Sequence, residues 1–152
     1  MINIENHNEL KVVIRPATEK DAEILLNWRN DPTTRIQSHS SEYIDKLGHI
    51  KWLKNSIDNP DINLFIAEVD GQPVGTSRAD LDQDKFYQLS WTVSPNFRGQ
   101  GLGKNIVKQM VGKFKKCKAQ IKKGNLASVK IADYAGLKLC NKSDDVLFFK
   151  TD

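Results

Sequence analysis

The apolar positions of this chain change period several times, and each change marks an element. LKVVIRPA (10–17) is a short apolar run stopped by Pro16, the pattern of a strand. Thr18, with Asp21 three residues on, approximates a capping box and opens a helix that runs to about Asn30, before Asp31-Pro32. A second helix is expected from about Ser41 to Ile57. Tyr43, Leu47, Ile50, Leu53 and Ile57 recur there at spacings of three and four, one apolar stripe that Asn59-Pro60 closes.

The period then becomes that of strands. INLFIAEV (62–69), an Asp70-Gly71 turn and PVGTSRADL (73–81) predict a hairpin, because Asp-Gly suits a tight turn. FYQLSWTV (86–93) alternates Tyr87, Leu89, Trp91 and Val93 with Gln88, Ser90 and Thr92, a third strand. Leu102, Ile106, Val107, Met110, Val111 and Phe114 restore the helical period as far as about Lys116. AQIK (119–122) predicts a short strand, Asn125 caps a helix to about Ala135, and DVLFFK (145–150) predicts a last strand. With no repeat and no linker, residues 1–152 are expected to form one mixed α/β domain with a partly antiparallel sheet.

Composition narrows the class. Charged residues make up 28% of the 152 and hydrophobic ones 39%, the balance of a globular protein. No apolar run nears the roughly 18 residues of a membrane span, and MINIENHNELKVVIRP lacks a secretory pattern, so the expected location is the cytoplasm, away from membranes. Cys117 and Cys140 match no metal or redox spacing and are expected as reduced, packed thiols; no metal site is expected. The net charge is +4, and its excess gathers in Lys104, Lys108, Lys113, Lys115, Lys116, Lys118, Lys122 and Lys123. Such a run suits a solvated face or a phosphorylated cofactor; without interleaved aromatics it argues against nucleic acid.

The candidate chemistry lies in FRGQGLGKN (97–105), three glycines within five positions between a strand and a helix. A dinucleotide fingerprint from Gly99 needs a small residue where Lys104 stands, and a P-loop ending at Lys104 needs glycine at Arg98 and Ser or Thr at Asn105. Arg98-x-x-Gly101-x-Gly103 remains. Free amides at a helix start, with the positive end of its dipole, form a site for an anion such as a pyrophosphate, and Arg98 adds a charged fork.

SPNFRGQGLGKNIV resembles the acetyl-CoA pyrophosphate loop of the GNAT superfamily of N-acetyltransferases: Arg or Gln, two residues, Gly, one residue, Gly or Ala. Asn125-Leu-Ala-Ser128 followed by Ala135-Gly136-Leu137 is similar to a second stretch of that family, and RPATEKDAEILLNWRNDP looks like its opening. The resemblance implies a mixed, largely antiparallel sheet of about six to seven strands flanked by about four helices, and acetyl-CoA as cofactor. It implies that the backbone of Leu89, Trp91 and Val93 pairs with the pantetheine arm. Residues Arg98, Gly99, Gln100, Gly101, Leu102, Gly103 and Lys104 would hold the pyrophosphate, with Asn125 and Ser128 near the pantetheine. Taken alone, Asn125 reads as an N-cap and Ser128 as an exposed helical serine.

The catalytic positions depart from the commoner family pattern. Gln88 stands where many relatives have a Glu base, and Ala132 where many have a Tyr acid; Tyr134, about 200° further round a helix, does not replace it. His49, paired by spacing with Glu42, is the candidate base on the acceptor side, while His7 and His39 fall in expected loops. Trp28, Arg29, His49, Trp52 and Arg78 are candidate substrate-binding residues. Trp28-Arg29-Asn30 and His49-Ile-Lys-Trp52 are similar to stretches of acetyltransferases acting on nucleotide-linked amino sugars and of ribosomal-protein N-terminal acetyltransferases. His49-x-x-Trp52 and the helix start at Asn125 lean to the former, so the expected reaction is acetyl transfer to a small-molecule amine on an amino sugar; a protein N-terminal acetyltransferase, an acetyl-CoA-binding module with little turnover, and a homodimer remain open.

Overall fold

The structure, a computed structural model, describes residues 11–39 and 42–152. Seven strands form one sheet: β1 (Val12–Pro16), β2 (Ile62–Val69), β3 (Gln72–Leu81), β4 (Tyr87–Val93), β5 (Cys117–Lys122), β6 (Lys138–Lys142) and β7 (Val146–Lys150), ordered β1-β2-β3-β4-β5-β7-β6. Every neighbouring pair is antiparallel except β4 and β5. The helices are α1 (Ala22–Arg29), the short α2 (Pro32–Gln37), α3 (Lys46–Asp58), α4 (Leu102–Phe114) and α5 (Leu126–Tyr134). Among the described residues, no helix is long and apolar enough to cross a membrane.

The two faces of the sheet carry different helices, and strand alternation decides which residue meets which. Leu64 and Ile66 pack with Leu25, Trp28 and Leu53 of α1 and α3. Phe65, Ala79 and Leu89 face Val107 and Met110 of α4 and Ala132 of α5. Because β2 is covered on both sides, Leu64 to Ala67 are all buried, hence the continuous apolar run in the sequence. Asp70 (φ 51°) and Gly71 (φ 79°) both turn left-handed, as a two-residue hairpin with native twist requires.

The expected capping box is present: Asp21 accepts from the Thr18 amide (2.8 Å), and the Thr18 hydroxyl accepts from Lys20. Arg15 grips the same carboxylate with two nitrogens, at 2.8 and 2.9 Å, and reaches Glu68 at 3.0 Å, tying α1 to β1 and β2. Chiefly through that hydrogen bonding, Arg15 holds the Asp21 carboxyl below its usual range.

Four expectations need correction. Helix α3 starts at Lys46, capped by Asp45, and the stripe of Tyr43, Leu47, Ile50 and Ile57 faces outward, Leu47 being 82% exposed. The inward face is His49, Leu53 and Ser56, which shares only Leu53 with the expected stripe, because two polar side chains beside it find partners on the inner side. The chain does not stay irregular after Asn30: Asp31 caps Thr34 and Pro32 occupies the first position of α2, both helix-start signals. Strand β6 escaped notice because all five of its residues are exposed. Its Cys140 is exposed too, its thiol against the Phe148 carbonyl, whereas Cys117 is packed as expected.

Candidate active site

The parallel pairing of β4 with β5 ends almost as soon as it begins. The Tyr87 amide donates to Lys116 O at 2.8 Å, and the register runs only through Tyr87 with Cys117 and Gln88 with Lys118. Because main-chain groups alternate along a strand, Trp91 and Val93 aim their amides to the same side as Tyr87, where no described strand lies opposite. A fork thus opens between Leu89–Val93 and β5. It belongs to a cleft of about 1000 Å³ whose wall includes Leu89, Trp91, Val93, Gly99, Gly101 and Gly103, with Lys104, Asn125 and Ser128. The buried Trp91 indole N–H, on that wall, has no acceptor among the described residues.

The glycine loop stands at the open end of the fork. Gly99 (φ 81°) and Gly101 (φ 78°) are left-handed, and Gly101 caps α4 with no side chain closing it. Among the described residues no acceptor meets the amides of residues 99 to 104, so Gly99, Gln100, Gly101, Leu102, Gly103 and Lys104 present bare N–H groups at the positive end of a 13-residue helix. Fit to a pyrophosphate follows from this donor set. Leu102 itself is buried, so its contribution is main-chain. At Gly103 a Cβ would fall 2.6 Å from Ile131 Cδ1 and 3.4 Å from Val93 Cγ2, so a side chain there would require the Ile131 tip on α5 to turn aside.

Arg98 is not the free fork expected. Its Nε donates to Val93 O at 3.1 Å, and its Nη2 donates to Asp31 Oδ2 and Thr34 Oγ1, each at 3.1 Å. The side chain ties the glycine loop to α2. At the other end of α2, Lys122 Nζ donates to Ile36 O at 3.0 Å, so β5 and the loop both hold this helix at the cleft. Asn125 is an N-cap, its Oδ1 accepting from the Ser128 amide at 3.2 Å, which leaves its own N–H donors for the cleft it lines.

On the acceptor side the structure corrects the place of His49. The ring is fully buried and does not line the cleft. Nε2 lies 2.7 Å from Ala22 O and Nδ1 lies 3.0 Å from Arg29 Nη1. A carbonyl can only accept and a guanidinium only donate, so Nε2 carries the hydrogen and the Nδ1 lone pair receives Arg29. Burial, and then the Arg29 charge, push the imidazole below its usual range. His49 is a neutral strut, not a base. Trp28, likewise expected at the substrate, is buried among Leu25, Leu53, Leu64 and Ile66.

Arg29, Trp52 and Arg78 do line the cleft together. Arg29 Cζ sits 3.9 Å above the Trp52 ring and Arg78 Cζ is 5.5 Å from it, while His49 stacks on the same indole at 5.4 Å. Desolvation and the Arg78 charge both lower the Arg29 pKa.

Neither usual acid–base position works here. Gln88 lies where β4 is still paired on both sides and is not part of the cleft wall. Ala132 is fully buried in the core, so a phenol would not fit. Tyr134 is exposed, with Lys104 and Lys108 about its ring at 5.5 and 5.2 Å. The titratable groups on the acceptor wall are instead His39, Glu42 and Tyr43, on the segment between α2 and α3. Glu42 shares no helix with His49. Sequence reasoning missed that segment as a wall; the signal was Asp31-Pro32, a helix start read as a stop.

Several solved structures share this fold. A domain from Methanocaldococcus jannaschii DSM 2661 matches with a TM-score of 0.84 at 19% identity, over 94% of this chain and 99% of that one. Ribosomal-protein-alanine N-acetyltransferase from Brucella melitensis matches with 0.78 at 24%, over 91% and 98%. AAC(6')-Ib in complex with ribostamycin and coenzyme A matches with 0.83 at 16%, over 93% of each chain. No curated protein matches the sequence. The sequence model of the acetyltransferase (GNAT) family matches residues 22–135, and with its loop, its forked strands and this shared fold the chain belongs to that family.

Proposed function

We propose that this acetyltransferase moves the acetyl group of acetyl-CoA to a primary amine of a small molecule, most readily an amino sugar or a nucleotide-linked amino sugar, within a ternary complex. The observation that carries the reading is the fork between β4 and β5 beside six bare amides at residues 99 to 104. Acetyl-CoA supplies the activated acyl group as a thioester. The amides of residues 99 to 104 bind its diphosphate, and the unpaired edge of Trp91 and Val93 receives the pantetheine. The Val93 N–H is the donor placed to polarise the acyl oxygen.

The amine nitrogen forms its bond to the acyl carbon, the carbon–sulfur bond breaks, and the thiolate leaves. A thiol of pKa near 8.5 needs no strong acid to depart, in keeping with Ala132 in the core. The amine sheds its proton to Glu42, to His39 or to water at the acceptor wall. Catalysis here is mainly positioning.

Support for an amino sugar comes from Trp52, Arg29 and Arg78, an aromatic face with two cations suited to a ring and an anionic substituent. Aminoglycoside acetyltransferase AAC(6')-Ib was solved with coenzyme A and kanamycin. The Brucella melitensis neighbour keeps peptide N-termini as the second reading. Thiol release from acetyl-CoA is the test, measured against amino sugars, sugar nucleotides, polyamines and peptides. Release with amino sugars is expected, release with peptides alone shifts the acceptor class, and tight acetyl-CoA binding with no release leaves a binding module.

A further inference from the structure

We propose that the acceptor carries an oxyanion, a phosphate or a carboxylate, and that Arg29 holds it, with Arg78 beside it and His49 as the positioning residue that keeps Arg29 in place. This rests on the acetyl-transfer reading and specifies its substrate.

The chain's other arginines near the sheet show what Arg29 lacks. Arg15 meets Asp21 and Glu68, Arg78 meets Asp80, and Arg98 meets Asp31. Among the described residues no carboxylate meets Arg29, although it is half-buried. A guanidinium removed from water without an opposite charge is costly. Its protein partner is a neutral ring nitrogen, which takes one of five N–H donors. Its Cζ lies 3.9 Å over the Trp52 ring, a cation–π contact that satisfies none of the donors at the guanidinium's edge.

Arg78 stands next to it with Nε spent on Asp80 and Nη1 near Ser56, leaving Nη2. Two like charges against one indole raise each other's cost, and an anion between them removes it. The cleft agrees in sign: among its described lining residues only Glu42 is acidic. Location then sets the size of the acceptor. Arg78 pairs across the ladder with Ser90, one residue from Trp91 on the forked edge. Counted at the backbone, Arg78 lies one strand spacing, about 5 Å, across and three residues, about 10 Å, along from Val93, whose N–H marks the acyl-transfer point. The oxyanion site is separate from the cofactor's diphosphate at residues 99 to 104.

The test compares glucosamine, glucosamine 6-phosphate and the carboxylate-bearing muramic acid as acceptors, at saturating acetyl-CoA so that the cofactor site is filled. The charged sugars should exceed glucosamine in kcat/KM by about ten- to a hundredfold, the range of one charge-assisted hydrogen bond. The order of the phosphate and carboxylate arms names the anion. In Arg29→Gln the ratio should fall toward one, and Arg29→Lys should retain part of it. His49→Phe should lower the ratio through KM while His49→Gln, which can still accept and donate, restores it; thermal melting checks that each variant folds. Equal rates for charged and neutral sugars, or a ratio that survives Arg29→Gln, would overturn the proposal and leave acetyl transfer standing. If no amine is turned over, the transfer reading fails instead. Calorimetric binding of the same three sugars to the acetyl-CoA-loaded protein then decides: tighter, Arg29-dependent binding of the charged sugars supports the subsite, equal binding removes it.

Discussion

Arg98 Nη2 lies 3.1 Å from Asp31 Oδ2 and joins the glycine loop to the start of α2, 67 residues away in sequence. The same Asp31 oxygen also accepts from the Thr34 amide at 3.1 Å, so one carboxylate serves as helix cap and as ion pair.

These two roles are separable by magnitude. An N-cap is worth about 1 kcal/mol, whereas an ion pair to a guanidinium 35% exposed is screened and worth at most a few tenths. Asp31→Asn keeps an acceptor for Thr34 and should cost less than about 0.5 kcal/mol. Asp31→Ala should cost about 1 kcal/mol. Denaturant melts of the two variants check this; equal losses would mean that the ion pair, and not the cap, holds α2.

Gly101 separates backbone strain from crowding. A Cβ there would meet no atom within 4 Å, so any cost comes from its φ of 78°. The left-handed conformation costs about 1–2 kcal/mol in an L-residue, and Gly101→Ala should lower stability by about that amount. Gly101→Val should also turn the amides of residues 101 to 103 off their common point and weaken acetyl-CoA binding at least tenfold by calorimetry. Unchanged affinity would contradict the placement of the diphosphate on this loop.

The thiols should differ in reactivity. Burial pushes the Cys117 thiol up to about 11, and its thiolate is scarce at neutral pH. Cys140 is exposed on the edge strand β6. A maleimide at pH 7 should label Cys140 in the folded protein and Cys117 only after denaturation, read by mass of the labelled peptides. Rapid labelling of Cys117 in the native state would show that β5 opens readily.

The sequence displayed whatever is set locally. Thr18 and Asp21 form a cap from three residues, Asp70-Gly71 a turn from two, and the loop at Arg98 to Gly103 its free amides from glycine spacing alone. Where a partner distant in sequence decides, the reading failed. Leu47 and Ile50 keep a helical period yet face water, because His49 and Ser56 find Arg29, Ala22 and Arg78 on the inner side. Arg98 was legible as an arginine of the loop but not as a strut, since Asp31 lies so far back in the chain. Strand β6 has no buried position and so no alternation to read; only its neighbour β7 makes it a strand.

His49 carries a prediction whose sign follows from its surroundings. Burial is the largest effect and holds the folded imidazole below the ordinary 6.5, and the facing Arg29 charge adds to it. The Ala22 carbonyl opposes them without reversing the direction. Below about pH 6.5 the unfolded chain takes a proton on His49 that the folded chain refuses, so the neutral ring favours folding above that pH and its contribution is lost as pH falls. The slope from this one group reaches at most about 1.4 kcal/mol per pH unit. Between about pH 6.5 and 5, above the carboxylate range, the protein should lose stability, and His49→Gln, which cannot titrate, should flatten that part of the curve. Denaturant midpoints at half-unit pH steps measure it. An identical slope in both proteins would mean that His49 takes a proton in the folded state, and with it that the Nδ1 lone pair does not hold Arg29.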